Sequence, residues 1–250
     1  MNFNKLSTKV LCSLLLVILI IGNETFFVLA SDKKLSLLPS NQYAPKKDLP
    51  YSRNLLSFFP QKENTQLHFQ GYAEYAHSLT INKIDFTSSV ASVILSGSMM
   101  DAYSSETREI DVKYVVSNNS VNEYVIVTHE DKSKEHTFNS IIPNQTILKL
   151  PLKIDNSWKQ KFHYEGTEYE ATTTITSVKA ENNLTTCTTT TIVTNIEGYL
   201  NNTYREERTY EEGKGLISFS VSTPLDDSFP YAVFENNTFS YILDQYIEKK

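Results

Sequence analysis

The feature that most constrains this chain is two-residue alternation of apolar side chains. From Gln66 onward, Leu67, Phe69, Ala73, Tyr75, Leu79 and Ile81 fall on odd positions, with Gln66, His68, Gln70, Glu74, Ser78 and Thr80 between them. That period is the signature of half-buried strands, because successive strand side chains point to opposite faces. Gly71 interrupts the run as a bend or bulge would. The same reading gives a hairpin around Ser117-Asn118-Asn119-Ser120, a second around Glu181-Asn182-Asn183, and a third around Glu212-Gly213-Lys214-Gly215. Residues 238–247 suit either a helical face (Phe239, Ile242, Leu243, Tyr246) or a strand (Phe239, Tyr241, Leu243).

A second pattern is long-range. Pro60-Gln61-Lys62-Glu63-Asn64, then Leu67, His68, Gly71, Glu74-Tyr75 and Thr80-Ile81, is echoed by Pro151-Leu152-Lys153-Ile154-Asp155, then Trp158, His163, Gly166, Glu168-Tyr169 and Thr174-Ile175. The period of roughly ninety residues exceeds the 20–50 of solenoid repeats. It predicts two half-domains, repeat one at about 56–145 and repeat two at about 146–223, followed by a C-terminal segment 224–250. Neither half buries its apolar face alone, so the expected fold is all-β. It is an antiparallel meander of two duplicated half-domains forming a curved sheet, half-barrel or barrel, which also shields its edges.

Ahead of this domain (54–250), the sequence predicts a signal peptide over residues 1–30. Lys5 and Lys9 precede an apolar run from Val10 to Ile21, and Val28-Leu29-Ala30 offers a cleavage site. An uncleaved anchor is the alternative. Residues 31–53, with Pro45 and Pro50 and little periodicity, read as an exposed linker. The expected location is secreted or cell envelope, outside the cytoplasm. Cys12 falls in the leader, so Cys187 is the one thiol of the expected mature chain, and it closes no intrachain disulfide. A net charge of −6 argues against nucleic-acid partners, which require a basic face.

At Ile147-Leu148-Lys149-Leu150-Pro151-Leu152-Lys153-Ile154-Asp155-Asn156-Ser157-Trp158, and again at Tyr210-Glu211-Glu212-Gly213-Lys214-Gly215-Leu216-Ile217, the chain resembles uncharacterised secreted proteins and lipoproteins of Gram-positive bacteria. Their shared motifs read Ile-Leu-Lys-x-Pro-Leu-Lys-x-Gly-x-x-Trp and Tyr-x-x-Gly-x-Gly-Leu-Val. Those proteins also carry a Phe-Pro-x-Lys-x-Gly entry, echoed by Phe59-Pro60-Gln61-Lys62-Glu63-Asn64, and this chain departs from the motifs at Asn64 and Asp155, where they have Gly. Asn and Asp also tolerate positive φ, so the turns are expected to survive. The resemblance implies an exported β domain and no particular activity.

No catalytic, cofactor or metal constellation stands out, and no cofactor is expected. The paired positions are the candidates: His68 with His163, Glu74 with Glu168, and Tyr75 with Tyr169. Trp158, the single Trp, is read either as a sugar-stacking platform or as a core or turn anchor, the anchor being favoured. Arg205-Glu206-Glu207-Arg208 reads as an exposed charged strand. Three functions compete. The leading one is a non-enzymatic binding protein holding an apolar ligand or client peptide on its curved sheet. The second is a surface structural or adhesive protein contacting wall glycan or another protein. The third is a hydrolase with Glu74 and Glu168 as a carboxylate pair, which needs a separation of about 5 to 9.5 Å.

Overall fold

A computed structural model describes residues 49–71, 76–100, 107–128, 140–223, 225 and 238–249. The signal-peptide reading and most of the expected linker lie outside the described residues. The described body is nearly all antiparallel β: β1 (Gln66–Gly71), β2 (His77–Phe86), β3 (Ala91–Met100), β4 (Thr107–Val116), β5 (Ser120–Thr128), β6 (Gln145–Lys149), β7 (Ser157–Tyr164), β8 (Thr167–Glu181), β9 (Leu184–Thr194), β10 (Thr203–Glu211), β11 (Gly215–Ser222) and β12 (Thr238–Ile247). One short helix, α1 (Arg53–Leu56), precedes them, capped by the Ser52 hydroxyl accepting from the Leu55 N–H.

The strands form one 12-stranded sheet in the order β6-β5-β4-β3-β2-β1-β12-β11-β10-β9-β8-β7, nearly closed as a barrel. Two meanders of six strands meet where β1 pairs with β12. Residues 238–247 are therefore a strand, which sits at the centre of the sheet order beside β1. β6, which the sequence reading divided near 145/146, belongs to the first meander through its pairing with β5.

Two entries to these meanders bond alike. The Asn64 N–H donates to the Ile81 carbonyl at 2.8 Å, and the Ile81 N–H donates to the Thr65 carbonyl at 2.9 Å. The Asp155 N–H donates to the Ile175 carbonyl at 2.9 Å, and the Ile175 N–H donates to the Asn156 carbonyl at 2.9 Å. Asn64 and Asp155 take φ of 65° and 68°, the left-handed region that short polar side chains tolerate. Each register shifts by one residue just after these isoleucines, between Ile81 and Lys83 and between Ile175 and Ser177.

The alternation predicted for β1 and β2 places Leu67, Phe69, Leu79 and Ile81 in the core, alongside Val93, Leu95, Ile110, Val112 and Phe219. One end of the barrel is plugged. The Ser52 N–H donates to the Ser117 carbonyl, and the Gly213 and Gly215 N–H groups donate to the Ser57 and Phe58 carbonyls. Phe59 lies inside, 4.5 Å from the Tyr114 ring and 6.4 Å from the Tyr210 ring. At the end of the expected linker, Tyr51 and Ser52 are half-buried and Arg53 is exposed. Among the described residues, the void beside Phe59, Leu67, Phe69 and Leu95 measures about 10 Å³, the space of about one water molecule. An apolar ligand on the inner face finds no room there.

Candidate functional site

A wide recess lies on the opposite face of the sheet. Along β8, Ala171, Thr173 and Ile175 are buried in the barrel, so Thr172, Thr174 and Thr176 turn outward. Across β9 the same outward row is Thr190, Ile192 and Thr194, and β10 adds Arg205. Cross-strand register aligns Thr172 with Ile192 and Thr174 with Thr190, and Ile192 with Arg205. Lys159 of β7 sits opposite Thr172 and closes one wall. Together with Thr167, Glu168, Tyr169 and Glu170, these residues border a half-open groove of about 790 Å³, within the size range of small-molecule and oligomer sites.

The groove is rich in hydroxyls and balanced in charge. Lys159 Nζ lies 2.7 Å from Glu170 Oε1, Lys161 Nζ 2.8 Å from Glu168 Oε1, and Arg205 Nη2 3.3 Å from Glu207 Oε2. Each of the four charged side chains that border it, Lys159, Glu168, Glu170 and Arg205, thus belongs to an ion pair. The Lys161 hydrogen bond holds the Glu168 carboxyl below its ordinary range, and Glu168 in turn raises the Lys161 ammonium. A general acid needs its pKa raised; Glu168 is shifted the other way.

The sequence-predicted residues are dispersed. Glu168 and Tyr169 border the groove. Glu74 and Tyr75 lie outside the described residues. His68 faces outward on β1, its Nδ1 2.7 Å from the Ser78 hydroxyl. His163 is exposed on β7 opposite Glu168. β1 and β7 stand six places apart in the sheet order, roughly 29 Å along the sheet, so the two histidines form no joint site. Their register differs too. Leu67 pairs with Leu79 and Trp158 with Thr173, each two residues before the isoleucine that the entry turn bonds. Trp158 is buried at 7% exposure, and its Nε1–H donates to the Thr146 carbonyl at 2.9 Å. It anchors the gap between β6 and β7 and presents no ring to a ligand.

A buried polar cluster inside the barrel went unread in the sequence. Arg205 and Glu207 are exposed as expected, but Glu206 and Arg208 are each 1% exposed. Arg208 Nη1 donates to Glu123 Oε1 at 2.6 Å, Nε to Glu206 Oε1 at 3.2 Å, and Nη2 to Gln145 Oε1 at 2.8 Å. The Gln145 amide donates to Glu206 Oε1 and to Thr191 Oγ1, and the Tyr204 hydroxyl donates to Glu206 Oε2 at 2.8 Å. The guanidinium carbon lies 4.9 Å from the Phe219 ring centre. Burial alone would lower the Arg208 pKa. Glu123 and Glu206 outweigh it and hold the guanidinium well above its usual range. The signal was present: Tyr204, Glu206, Arg208 and Tyr210 share one parity, and two buried tyrosines on that row mark it as the inner face.

Cys187 is fully buried, and burial pushes its thiol up to about 12. Among the described residues, no group of three His, Cys, Asp or Glu side chains is placed to hold a metal ion. No described helix is long and apolar enough to cross a membrane.

No family model matches the chain, and no curated protein matches it. Two solved structures are similar. One is a Bacteroides fragilis protein described as exported and as having a YmcC-like fold. It shares 12% identity, with 76% of this chain and 99% of that chain covered, at a TM-score of 0.42. The other is described as a lipoprotein of Parabacteroides distasonis. It shares 11% identity, with 76% and 98% covered, at a TM-score of 0.35. Neither likeness is close enough to carry an argument about function. Neither comes from a Gram-positive organism, so the Gram-positive grouping drawn from the motifs finds no support.

Proposed function

We propose that this protein is a non-enzymatic binding protein of the extracytoplasmic space whose ligand is a neutral, polyhydroxylated chain such as a glycan strand, seated in the outer groove of β7–β10. The observation that carries this reading is the groove's composition. Threonine hydroxyls from adjacent strands cover it, and every charged side chain on its border is already matched by an opposite one. Hydroxyls both donate and accept, so they suit a ligand that does the same. A charged polymer would gain little, since each rim charge it met is screened by its partner. Ile192 and Tyr169 supply the apolar contact that sugar faces use. The packed barrel interior disfavours the apolar-ligand alternative. The depressed Glu168 carboxyl disfavours the hydrolase.

The test is retention on neutral and acidic polysaccharides, with wild-type protein and Thr174→Lys, which fills the groove with a long charged side chain. Retention on neutral glycan that Thr174→Lys abolishes is the expected result. Retention unaffected by Thr174→Lys, or preference for acidic polymers or extended peptides, would remove the reading. We infer further that the two six-stranded meanders descend from one unit. The matched bonds of Asn64 with Ile81 and of Asp155 with Ile175 support this.

A further inference from the structure

On one side β8 outruns its neighbour. Its register with β7 is unbroken from Ser157 opposite Thr174 to Tyr164 opposite Thr167, whereas its register with β9 ends at Val193 opposite Ala171. β9 itself ends one residue later, and Asn195 follows with a φ of 59°, which breaks the strand. Parity fixes where the spare backbone points. The Ile175 N–H and carbonyl bond to Asn156 and Asp155, both on the β7 side. Such groups alternate along an antiparallel strand, so Thr173, Ala171, Tyr169 and Thr167 also face β7, and Thr172, Glu170 and Glu168 face the β9 side. Glu170 flanks the last aligned pair. Glu168, two residues further out, has no strand beside it on that side among the described residues, and the positive-φ turn of Glu165 and Gly166 closes the hairpin just before it. Glu168 is exposed, and its N–H and carbonyl open on the corner of the groove that Thr194 and Asn195 also border.

We propose that the Glu168 backbone binds a vicinal diol of the ligand, so that the groove selects neutral glycans whose adjacent ring hydroxyls are unsubstituted; this rests on the glycan reading given above. In extended backbone the N–H and carbonyl of one residue lie side by side on the same strand edge, one donor next to one acceptor. Two hydroxyls on neighbouring ring carbons match that pair. One accepts from the N–H while the other donates to the carbonyl. The Glu168 carboxylate is engaged elsewhere, its Oε1 2.8 Å from Lys161 Nζ. An added peptide strand would bond through a row of alternate residues, and only one full donor–acceptor pair is open here before the turn. Outward from that corner the groove continues in side-chain hydroxyls, Thr172 and Thr174 on β8 and Thr194 on β9. These suit the remaining hydroxyls of a sugar chain and not the regular amides of a peptide.

The experiment measures retention of the full chain on a neutral glucan gel and on the same gel after periodate cleavage and borohydride reduction. That treatment splits vicinal diols and leaves a neutral polymer still rich in hydroxyls. About tenfold weaker retention on the treated gel is the expected result. Treatment also loosens the polymer, so Glu168→Pro tests the contact from the protein side. Proline removes the N–H, and a strand tolerates it where that N–H points off the ladder. Glu168→Ala, which loses the same carboxylate and keeps the N–H, is the reference. Glu168→Pro should be held about tenfold less than Glu168→Ala on the untreated gel and equally on the treated one. Equal retention of the two variants on the untreated gel, or equal retention of wild type on both gels, would overturn the diol contact and leave the glycan reading standing. No retention of wild type on the untreated gel would remove the glycan reading and the diol contact together. If circular dichroism shows that Glu168→Pro has lost its β signal, the two wild-type arms decide.

Discussion

Arg208 of β10 and Glu123 of β5 meet inside the barrel, Nη1 to Oε1 at 2.6 Å, although 85 residues separate them in the chain. They come from different meanders, so their ion pair ties the two halves together through the interior. Both are almost inaccessible, with side chains 1% and 3% exposed. Removing one partner of a buried pair costs about 3–5 kcal/mol, because a desolvated charge is left behind. Arg208→Met is the harsher change, since it strands both Glu123 and Glu206. Glu123→Gln keeps an acceptor and leaves Arg208 paired with Glu206. Urea unfolding is expected to rank Arg208→Met well below Glu123→Gln. Arg208→Met combined with Glu123→Leu should recover part of the loss. Equal effects of the two single substitutions would show that the pair does not carry this coupling.

Alkaline pH should unfold the protein cooperatively. Burial raises the hydroxyls of Tyr114, Tyr204, Tyr210 and Tyr241 well above their usual range. It also pushes the Cys187 thiol up to about 12. The folded state therefore keeps protons that the unfolded chain releases above about pH 8.5 for Cys and about 10 for Tyr. Stability is fully present below those values and falls above them, by about 1.4 kcal/mol per pH unit for each group so held. Ionisation of these four buried tyrosines and loss of the β circular-dichroism signal should then appear together. Full tyrosinate formation near pH 10 in a folded protein would contradict this.

The strands were legible where one face is apolar and the other polar, as with Leu67, Phe69, Leu79 and Ile81. The turns were legible where φ demands Asn, Asp or Gly, as at Asn182, Asn183 and Gly213. The junction of the two meanders was not legible, because pairing of β1 with β12 joins residues near 66 to residues near 247 and leaves no local mark. The helical and strand readings of 238–247 were equal by periodicity, and partners on both sides decided for the strand. The groove escaped notice because threonine is equally at home on a solvated strand. Glu206 and Arg208 were misread because charge outweighed parity in the local reading. Their partners Glu123 and Gln145 lie far off in sequence.

Side chains close the gap between β6 and β7, where the sheet order ends. Trp158 Nε1–H donates to the Thr146 carbonyl, and Gln160 Oε1 accepts from the Thr146 N–H at 3.0 Å. The Gln160 amide also donates to the Pro143 and Asn144 carbonyls at 3.3 and 3.1 Å. One tryptophan and one glutamine thus satisfy backbone groups that a neighbouring strand would otherwise pair. Trp158→Phe, which keeps the ring and deletes the donor, should cost about 1 kcal/mol. Gln160→Leu should cost a similar amount and accelerate hydrogen exchange at the Thr146 amide without changing exchange at Val112 in β4. Uniform acceleration across all strands would mean that the seam is not a local closure.

At Gly97 the backbone of β2 crowds β3. It lies opposite Leu79, on the parity of buried Leu95 and Met99. A Cβ placed there would stand 1.8 Å from the Ser78 carbonyl oxygen and 2.9 Å from the Leu79 Cα. Both obstacles are backbone, so no rotamer change relieves them, and the strands must part. The absent side chain lets the β2 backbone approach β3 closely at this point. Gly97→Ala should therefore cost at least the roughly 1–3 kcal/mol of an overpacked core, although Ala favours strand backbone over Gly. Ser98→Ala, one residue on and exposed, is the matched control and should be near neutral. Because the strain falls on the β2–β3 pairing, Gly97→Ala should also accelerate amide exchange in β2 and β3. A stable Gly97→Ala protein with unchanged exchange would show that β2 and β3 do not need this close approach.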